Sequence, residues 1–562
     1  MSTTGATRAK KRNPLMGAVW LAAGLLLIAC AWMTPVNLKS LTPALLREAG
    51  HGTPAVADYG RQRIESEKLG SAQLVLAAAR LVDDPGADAL ALSIRNVETR
   101  RPEWVPWGGW DPFLDPLFNL KENIGRAAST PVLEFFIAQK ARQSLLLFLS
   151  GSRSLGVQSV LQTREIQGTT RFVPATHPGG QSLDAVILLA ALLYQSENLS
   201  GPLQRELRGL AEAAVAQKQM GPLEDFYIDL LSLGKRLNWM QLAELLRVSG
   251  SVRTVGEFAQ LARVASDDLP LIYTAALFTG SADTVADYLM RYGKHGLADL
   301  RLALAGGEGA ARLLLARQIP VNHAGGPVLG PAATLALVHP QIMLVAKYLG
   351  FFLGAFCLFH ALEHLLAAAS PATPPLRARS GILAAMIGAL LVLATEPFLV
   401  KAAPPSEFKL KLLLPVLSDS PVSPVRLESA TPPTMDSATI ISIGFFAFLQ
   451  VTMYLICLFK IRGIERQPLA PQLKLRLMEN EENLFDGGLY IGIAGTATAL
   501  VLQVMGLIQA NLLAAYSSNL FGILCVAIVK IRHVRNAKRR LILESQAVGD
   551  LHQPAPAVRS VL

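Results

Sequence analysis

The chain has 562 residues, 51% of them hydrophobic, with four cysteines and a formal net charge of +10. So apolar a composition excludes an ordinary soluble or disordered protein. It does not call for nucleic acid as a partner either, because the basic residues gather beside apolar stretches and no basic patch carries interleaved aromatics.

Six stretches read as membrane spans: 15–34, 342–368, 381–402, 437–459, 488–509 and 512–531. A helix needs roughly 20 apolar residues to cross about 30 Å of hydrocarbon. Runs this continuous are helices rather than the alternating strands of a barrel. The expected fold is all-α, a polytopic six-helix membrane protein with a large, mostly helical extracytoplasmic domain.

The first segment, 1–34, joins a basic N-terminus (Arg8, Lys10, Lys11, Arg12) to the first span. Leu27-Ile28-Ala29-Cys30 also fits a lipoprotein cleavage box, but the apolar run continues through Trp32 and Met33, which suits an uncleaved anchor. Basic residues also lie between the second and third spans (Arg377, Arg379) and after the last (Lys530 to Arg540). The positive-inside bias then places both termini in the cytoplasm. Residues 35–340 and 403–436 face outward, and the short loops suggest a bacterial inner membrane with that side periplasmic. Membrane lipid is an implied partner, and the basic flanks suit anionic headgroups.

Residues 35–340 read as a helical domain. The segment 129–150 shows helical apolar spacing, and from 203 to 318 short helices follow one another at 203–218, 223–233, 239–248, 254–265, 269–278, 281–293, 296–305 and 308–317. Ser281 is a candidate N-cap and Gly293 a candidate stop. The succession resembles a helical-repeat solenoid, yet no fixed 34-residue period is present, so a non-repeating bundle stands beside that reading. The stretches 100–117 and 163–181 read as ordered loops, the second with a short strand pair. Trp104, Trp107 and Trp110 recur across Pro and Gly and suit loop packing over the helices, or else a ligand platform or outer-leaflet contact. All four cysteines (Cys30, Cys357, Cys457, Cys525) fall in predicted spans, so the outward domain has no disulfide and depends on packing.

The hairpin 341–402 carries His360, Glu363 and His364, spaced H-x-x-E-H as in inverted zinc metalloproteases. No third protein ligand accompanies them, and their place near a membrane interface suits snorkelling or helix contact, or else a proton or ion relay. Zinc, other cofactors and enzyme activity are therefore expected to be absent, with a membrane metalloenzyme as the remote alternative. Glu396, in the third span, is an intramembrane carboxylate and so a candidate for an ion path or a polar partner. Residues 403–436 read as a Pro-rich outward loop, 437–531 as three spans, and 532–562 as a basic cytoplasmic tail, disordered from 545.

The last hairpin is the most specific signal. LYIGIAGTATALV at 489–501 offers a small-residue face at Gly492, Gly495 and Ala499, and Thr496, Ser517, Ser518 and Asn519 offer polar groups within the spans. The segment resembles the corresponding stretch of the MotA/TolQ/ExbB proton-channel family at Tyr490, Ile491, Gly492, Gly495 and Thr496. The next span resembles that family's following helix, with Ser517, Ser518 and Asn519 at the pore-lining positions and Leu520-Phe521-Gly522 as the step after them. The likeness covers about 55 residues, and the outward domain is no part of the family pattern. What it implies is a homo-oligomeric subunit that surrounds a single-span partner carrying an intramembrane Asp. The chain would transmit force or signal across the envelope and meet a protein partner in the periplasm. The alternative is a membrane-anchored helical scaffold or sensor without ion transport.

Overall fold

The computed structural model describes residues 14–114, 117, 129–323, 330–366, 376–396, 398, 406–409, 437–504 and 512–550. Among them all regular structure is helical, and the two β-type pairings are isolated bridges, Leu41 with Val321 and Gly168 with Gln219. The strand pair expected within 163–181 does not form; Gly168 bridges instead to Gln219, outside the segment. The chain divides into two compact units, one of Met1–Lys39, Pro340–Ala403 and Ser418–Leu562, the other of Ser40–His339 and Pro404–Leu417.

In the second unit the helices fall close to the predicted positions. From 201 they run Gly201–Gln217, Pro222–Gly234, Trp239–Arg247, Val252–Val264, Leu269–Thr279, Ala282–Gly306 and Glu308–Arg317. Ser281 caps its helix, its side chain accepting from Thr284 N at 3.4 Å, and Gly293 breaks the following run with φ 57°. A positive φ suits Gly because other residues meet a Cβ penalty there. The core helix Gln181–Gln195 buries Leu183 and all of Ala185–Leu193. It is apolar on every side because it is surrounded, and at about 1.5 Å per residue it is too short to span a bilayer.

This unit is not an open solenoid, in which each repeat touches only its neighbours. Its first helix, Pro43–Gly50, packs against Glu308–Arg317 near the end of the unit, and a Cβ on Gly50 would lie 1.8 Å from Gly306 O. Glu308 N donates to Pro54 O at 3.0 Å, and the Leu41–Val321 bridge closes the same seam. The non-repeating bundle is the reading that fits, because the N-terminal helix seals the last one instead of leaving both ends open.

Buried charges hold this cysteine-free core at named points. Asp184 receives Arg142 at 2.8 Å and Arg164 at 2.7 Å, while Glu244 receives Lys68 at 2.7 Å and Arg247 at 2.9 Å. Glu224 organises the loop after 168: its carboxylate accepts from the N–H of Thr170, Arg171 and Phe172 and from the Thr170 hydroxyl. Burial alone would raise its pKa, but these hydrogen bonds outweigh burial and hold the carboxyl below its ordinary value. Of the three loop tryptophans, Trp107 stacks on Phe135 at 3.8 Å, Trp104 packs beside a buried cluster that includes Leu90 and Val105, and Trp110 is 41% exposed. Packing thus accounts for two of them.

The other unit contains α1 (Pro14–Trp32), α2 (Pro340–Leu366), α3 (Leu376–Thr395), α4 (Ser437–Glu465), α5 (Pro471–Asn480), α6 (Gly487–Val504), α7 (Leu512–Ile528) and α8 (Arg535–Asp550). Among the described residues four helices are long and apolar enough to cross a membrane: Leu15–Trp32, Pro340–Leu362, Phe446–Glu465 and Tyr516–Gln546. At the third predicted span the apolar helix Leu383–Thr395 is shorter, and at the fifth α6 ends at Val504. Residues 397, 399–402 and 505–509 of those two spans lie outside the described residues, as does most of the loop 403–436.

One expectation changes at the C-terminal end. Helix continues from α7 through a π-helical stretch, Val529–Val534, into α8, so 545–550 is not a disordered tail. The reason is packing, since Val534, Ala537 and Leu541 are buried in one cluster with Ile461 and Ile464 of α4 and Met478 of α5. Residues 551–562 lie outside the described part.

Candidate functional site

Two polar clusters sit among the apolar helices, and they draw on different helices. The first gathers at α1, α2 and α3. α1 lies against α2 through a glycine seam, where a Cβ on Gly24 would fall 2.9 Å from Gly354 O and one on Gly350 would fall 3.0 Å from the Ala31 side chain. Small residues permit such close approach of helices in lipid. The helix that carries Cys30 is part of this seam, because Ile28 meets Gly354.

Beyond the seam, the chain after α1 returns to α2. Lys347 Nζ donates to Val36 O at 2.8 Å and to Asn37 Oδ1 at 2.6 Å, and lies 3.7 Å from Glu396 Oε1. Tyr348 OH donates to Glu396 Oε1 at 2.8 Å, and Leu38 N donates to Oε2 at 3.0 Å. The side chains of Lys347 and Glu396 are 3% and 1% exposed. Glu396 thus has the polar partner expected of an intramembrane carboxylate. Lys347 and Tyr348 are not foreseen from the sequence, although a lysine inside an apolar run is the signal that could have found them.

Of the H-x-x-E-H residues, His360 is not part of this cluster. His360 packs edge-on to Trp20 of α1, centroids 5.1 Å apart, and stacks near Phe356 at 6.1 Å. The side chains of Glu363 and His364 lie outside the described residues.

The second cluster is the seam of α4, α6 and α7. A Cβ on Gly522 would fall 2.6 Å from Gly488 O, one on Gly492 would fall 3.0 Å from Ser518 O, and one on Gly495 would fall 2.5 Å from Ser518 Oγ and 3.0 Å from the Phe446 ring. The two helices therefore touch backbone to backbone. Ser518 is fully buried, and its hydroxyl donates to Gly492 O at 3.3 Å; Thr496 donates to the same oxygen at 3.0 Å. Both hydroxyls are thus engaged on one carbonyl, and Ser517 is half-buried with a partner of its own.

Gln450 of α4 completes the seam and is missed by sequence reasoning. Its Nε2 donates to Gly488 O at 3.0 Å, and its residue is 4% exposed. A carbonyl partner fixes the amide orientation, since only the nitrogen can donate. Among the described residues, that leaves Gln450 Oε1 buried without a hydrogen-bond donor, and Asn519 Oδ1 is in the same condition. Gln450 Nε2 lies 3.3 Å from where a Cβ on Gly522 would stand, one turn along α7 from Asn519. Of the predicted residues, then, Gly492, Gly495, Thr496, Ser518 and Asn519 come together on α6 and α7. Glu396 belongs to the other cluster.

Comparison with family models, with curated proteins and with solved structures gives no match.

Proposed function

We propose that the chain is a multi-pass inner-membrane protein that transmits force or signal across the envelope, with the α6–α7 hairpin acting as an ion-channel-like subunit of the MotA/TolQ/ExbB type and residues 35–340 binding a periplasmic partner. The observation that carries this reading is the pair of buried amide oxygens, Gln450 Oε1 and Asn519 Oδ1, left without donors in a seam of otherwise apolar helices. A buried acceptor without a partner costs about 1–3 kcal/mol, so a polar species entering the seam would recover that energy. A second copy of the chain and a single-span partner carrying an Asp remain the implied company.

The scaffold reading has its own support. Thr496 and Ser518 both bond Gly492 O within the chain, and hydroxyls so engaged do the work of helix packing without any ion. Flux separates the two readings. The chain, purified with its co-purifying membrane proteins and reconstituted in liposomes carrying a pH-sensitive dye, is expected to show proton flux that falls at least about tenfold when Ser517, Ser518 and Asn519 are all replaced by Ala. Unchanged flux in that variant, with assembly intact by size-exclusion chromatography, would favour the scaffold.

Topology supplies an independent check. Residues 406–409 belong to the same compact unit as 40–339: Phe408 is 2% exposed, and Ser406 Oγ donates to Leu289 O at 3.3 Å. This contact supports a topology in which the loop after α3 and the large domain share one side of the membrane, as the alternating order of spans would have it. Reporter fusions after residues 200 and 420 should read outside, and fusions after 375, 475 and 550 inside. A cytoplasmic signal at 200 would reverse the placement of the domain.

A further inference from the structure

The C-terminal end of α4 and the α7–α8 helix enclose a cleft of about 270 Å³, with Arg462 and Glu465 on one side and Arg532, His533, Asn536 and Arg540 on the other. Three guanidinium groups thus face one carboxylate. Two nearby lysines are neutralised, Lys460 by Glu481 at 2.7 Å and Lys530 by Asp486 at 2.7 Å. Among the described residues, Arg462, Arg532 and Arg540 have no carboxylate partner.

The cleft is held in shape by its walls. Arg532 and His533 sit in the π-helical stretch Val529–Val534, a rare geometry found mostly as short bulges and often at functional sites. Tyr454 OH bonds His533 Nε2 at 2.9 Å, which ties that stretch to α4. Beneath it lies the buried cluster of Cys457, Ile461, Val529 and Val534.

We propose that this cleft binds a phosphate group, supplied by the headgroup of an anionic phospholipid. Guanidinium groups match phosphate oxygens bidentately, and three of them with a single carboxylate leave a net charge suited to one phosphodiester. The lipid source follows from what adjoins the cleft. Ile528 and Ile531 are 46% and 66% exposed on one helix, and Leu455 and Phe459 are 42% and 59% exposed on the other. Acyl chains would lie along these side chains while the headgroup enters the cleft, the arrangement of basic pockets between membrane helices at a charged leaflet. The proposal rests on the membrane reading of α4 and α7 and is independent of ion flux.

The test uses the full-length protein purified in a neutral detergent, with thermal unfolding and native mass spectrometry as readouts. Phosphatidylglycerol should raise the unfolding midpoint and remain bound in the spectrometer, and phosphatidylcholine should do neither. The double variant Arg532→Gln/Arg540→Gln should weaken phosphatidylglycerol binding at least about tenfold. Arg466→Gln/Arg476→Gln removes the same charge from exposed positions outside the cleft and should change it less than about twofold. Equal weakening by both doubles would overturn the site in favour of diffuse attraction. Saturation by inorganic phosphate, without preference for phosphatidylglycerol over phosphatidylcholine, would overturn the lipid assignment. Extraction of the protein from membranes by alkaline carbonate would refute the membrane reading itself, whereas a carbonate-resistant protein blind to phosphatidylglycerol refutes only this proposal.

Discussion

Lys347→Met is expected to destabilise the membrane unit by about 3–5 kcal/mol, the usual cost of removing one partner from a buried ion pair. The side chain it removes is 3% exposed and serves three acceptors: Val36 O, Asn37 Oδ1 and the Glu396 carboxylate. The loss comes mainly from what stays behind, a charged Glu396 at 1% exposure without its cation. The double variant Lys347→Met/Glu396→Gln should recover most of it, because the orphaned charge is gone and the glutamine oxygen still accepts from Tyr348 OH or Leu38 N. Glu396→Leu in the same background should recover less, since it strands both donors at about 1–3 kcal/mol each. Unfolding midpoints in detergent, read across the cycle, decide the matter. A single Lys347→Met variant as stable as the parent would show that the pair is solvated or absent.

The sequence was a good guide wherever one periodic signal acted alone. The short helices after 201 are legible because apolar spacing, Ser281 and Gly293 all mark the same boundaries, and helices at four of the six apolar runs follow from length and composition. What the sequence hides is pairing between distant segments. Glu396 is visible as a costly residue, but its partner Lys347 lies 49 residues earlier, and no local pattern links them. Gln450 is likewise one amide in an apolar run, and its role emerges only when α6 brings Gly488 O against it. The closure of the helical domain by Pro43–Gly50 on Glu308–Arg317 is long-range in the same way, which is why a solenoid and a closed bundle read alike from spacing alone. The glycines of the last hairpin are the instructive middle case. Their close-contact role is readable, but the residues they contact are Ser518 and Phe446 of this same chain.

That placement makes a graded set of glycine substitutions the sharper test of the hairpin. Gly522→Ala puts a Cβ 2.6 Å from Gly488 O, a backbone atom that cannot rotate away, so the helices must separate. The expected cost is about 1–3 kcal/mol, as for other overpacked sites. Gly495→Ala meets an even shorter contact, 2.5 Å, but against Ser518 Oγ, which can turn aside by giving up its hydrogen bond to Gly492 O. It should therefore cost less than Gly522→Ala despite the shorter distance. Gly495→Leu adds bulk that Ser518 and Phe446 cannot both yield to, so it should break the α6–α7 seam within a single subunit before assembly is reached. Gly463→Ala, on α4 with nothing within 4 Å of the new Cβ, is the control and should gain about 0.5–1 kcal/mol from helix propensity alone. Unfolding midpoints in detergent should rank Gly463→Ala above Gly495→Ala and Gly495→Ala above Gly522→Ala. If Gly522→Ala matches the control, α6 and α7 do not meet backbone to backbone. The unpaired oxygens of Gln450 and Asn519 would then face lipid or water, and the ion-channel-like reading would lose the seam on which it rests.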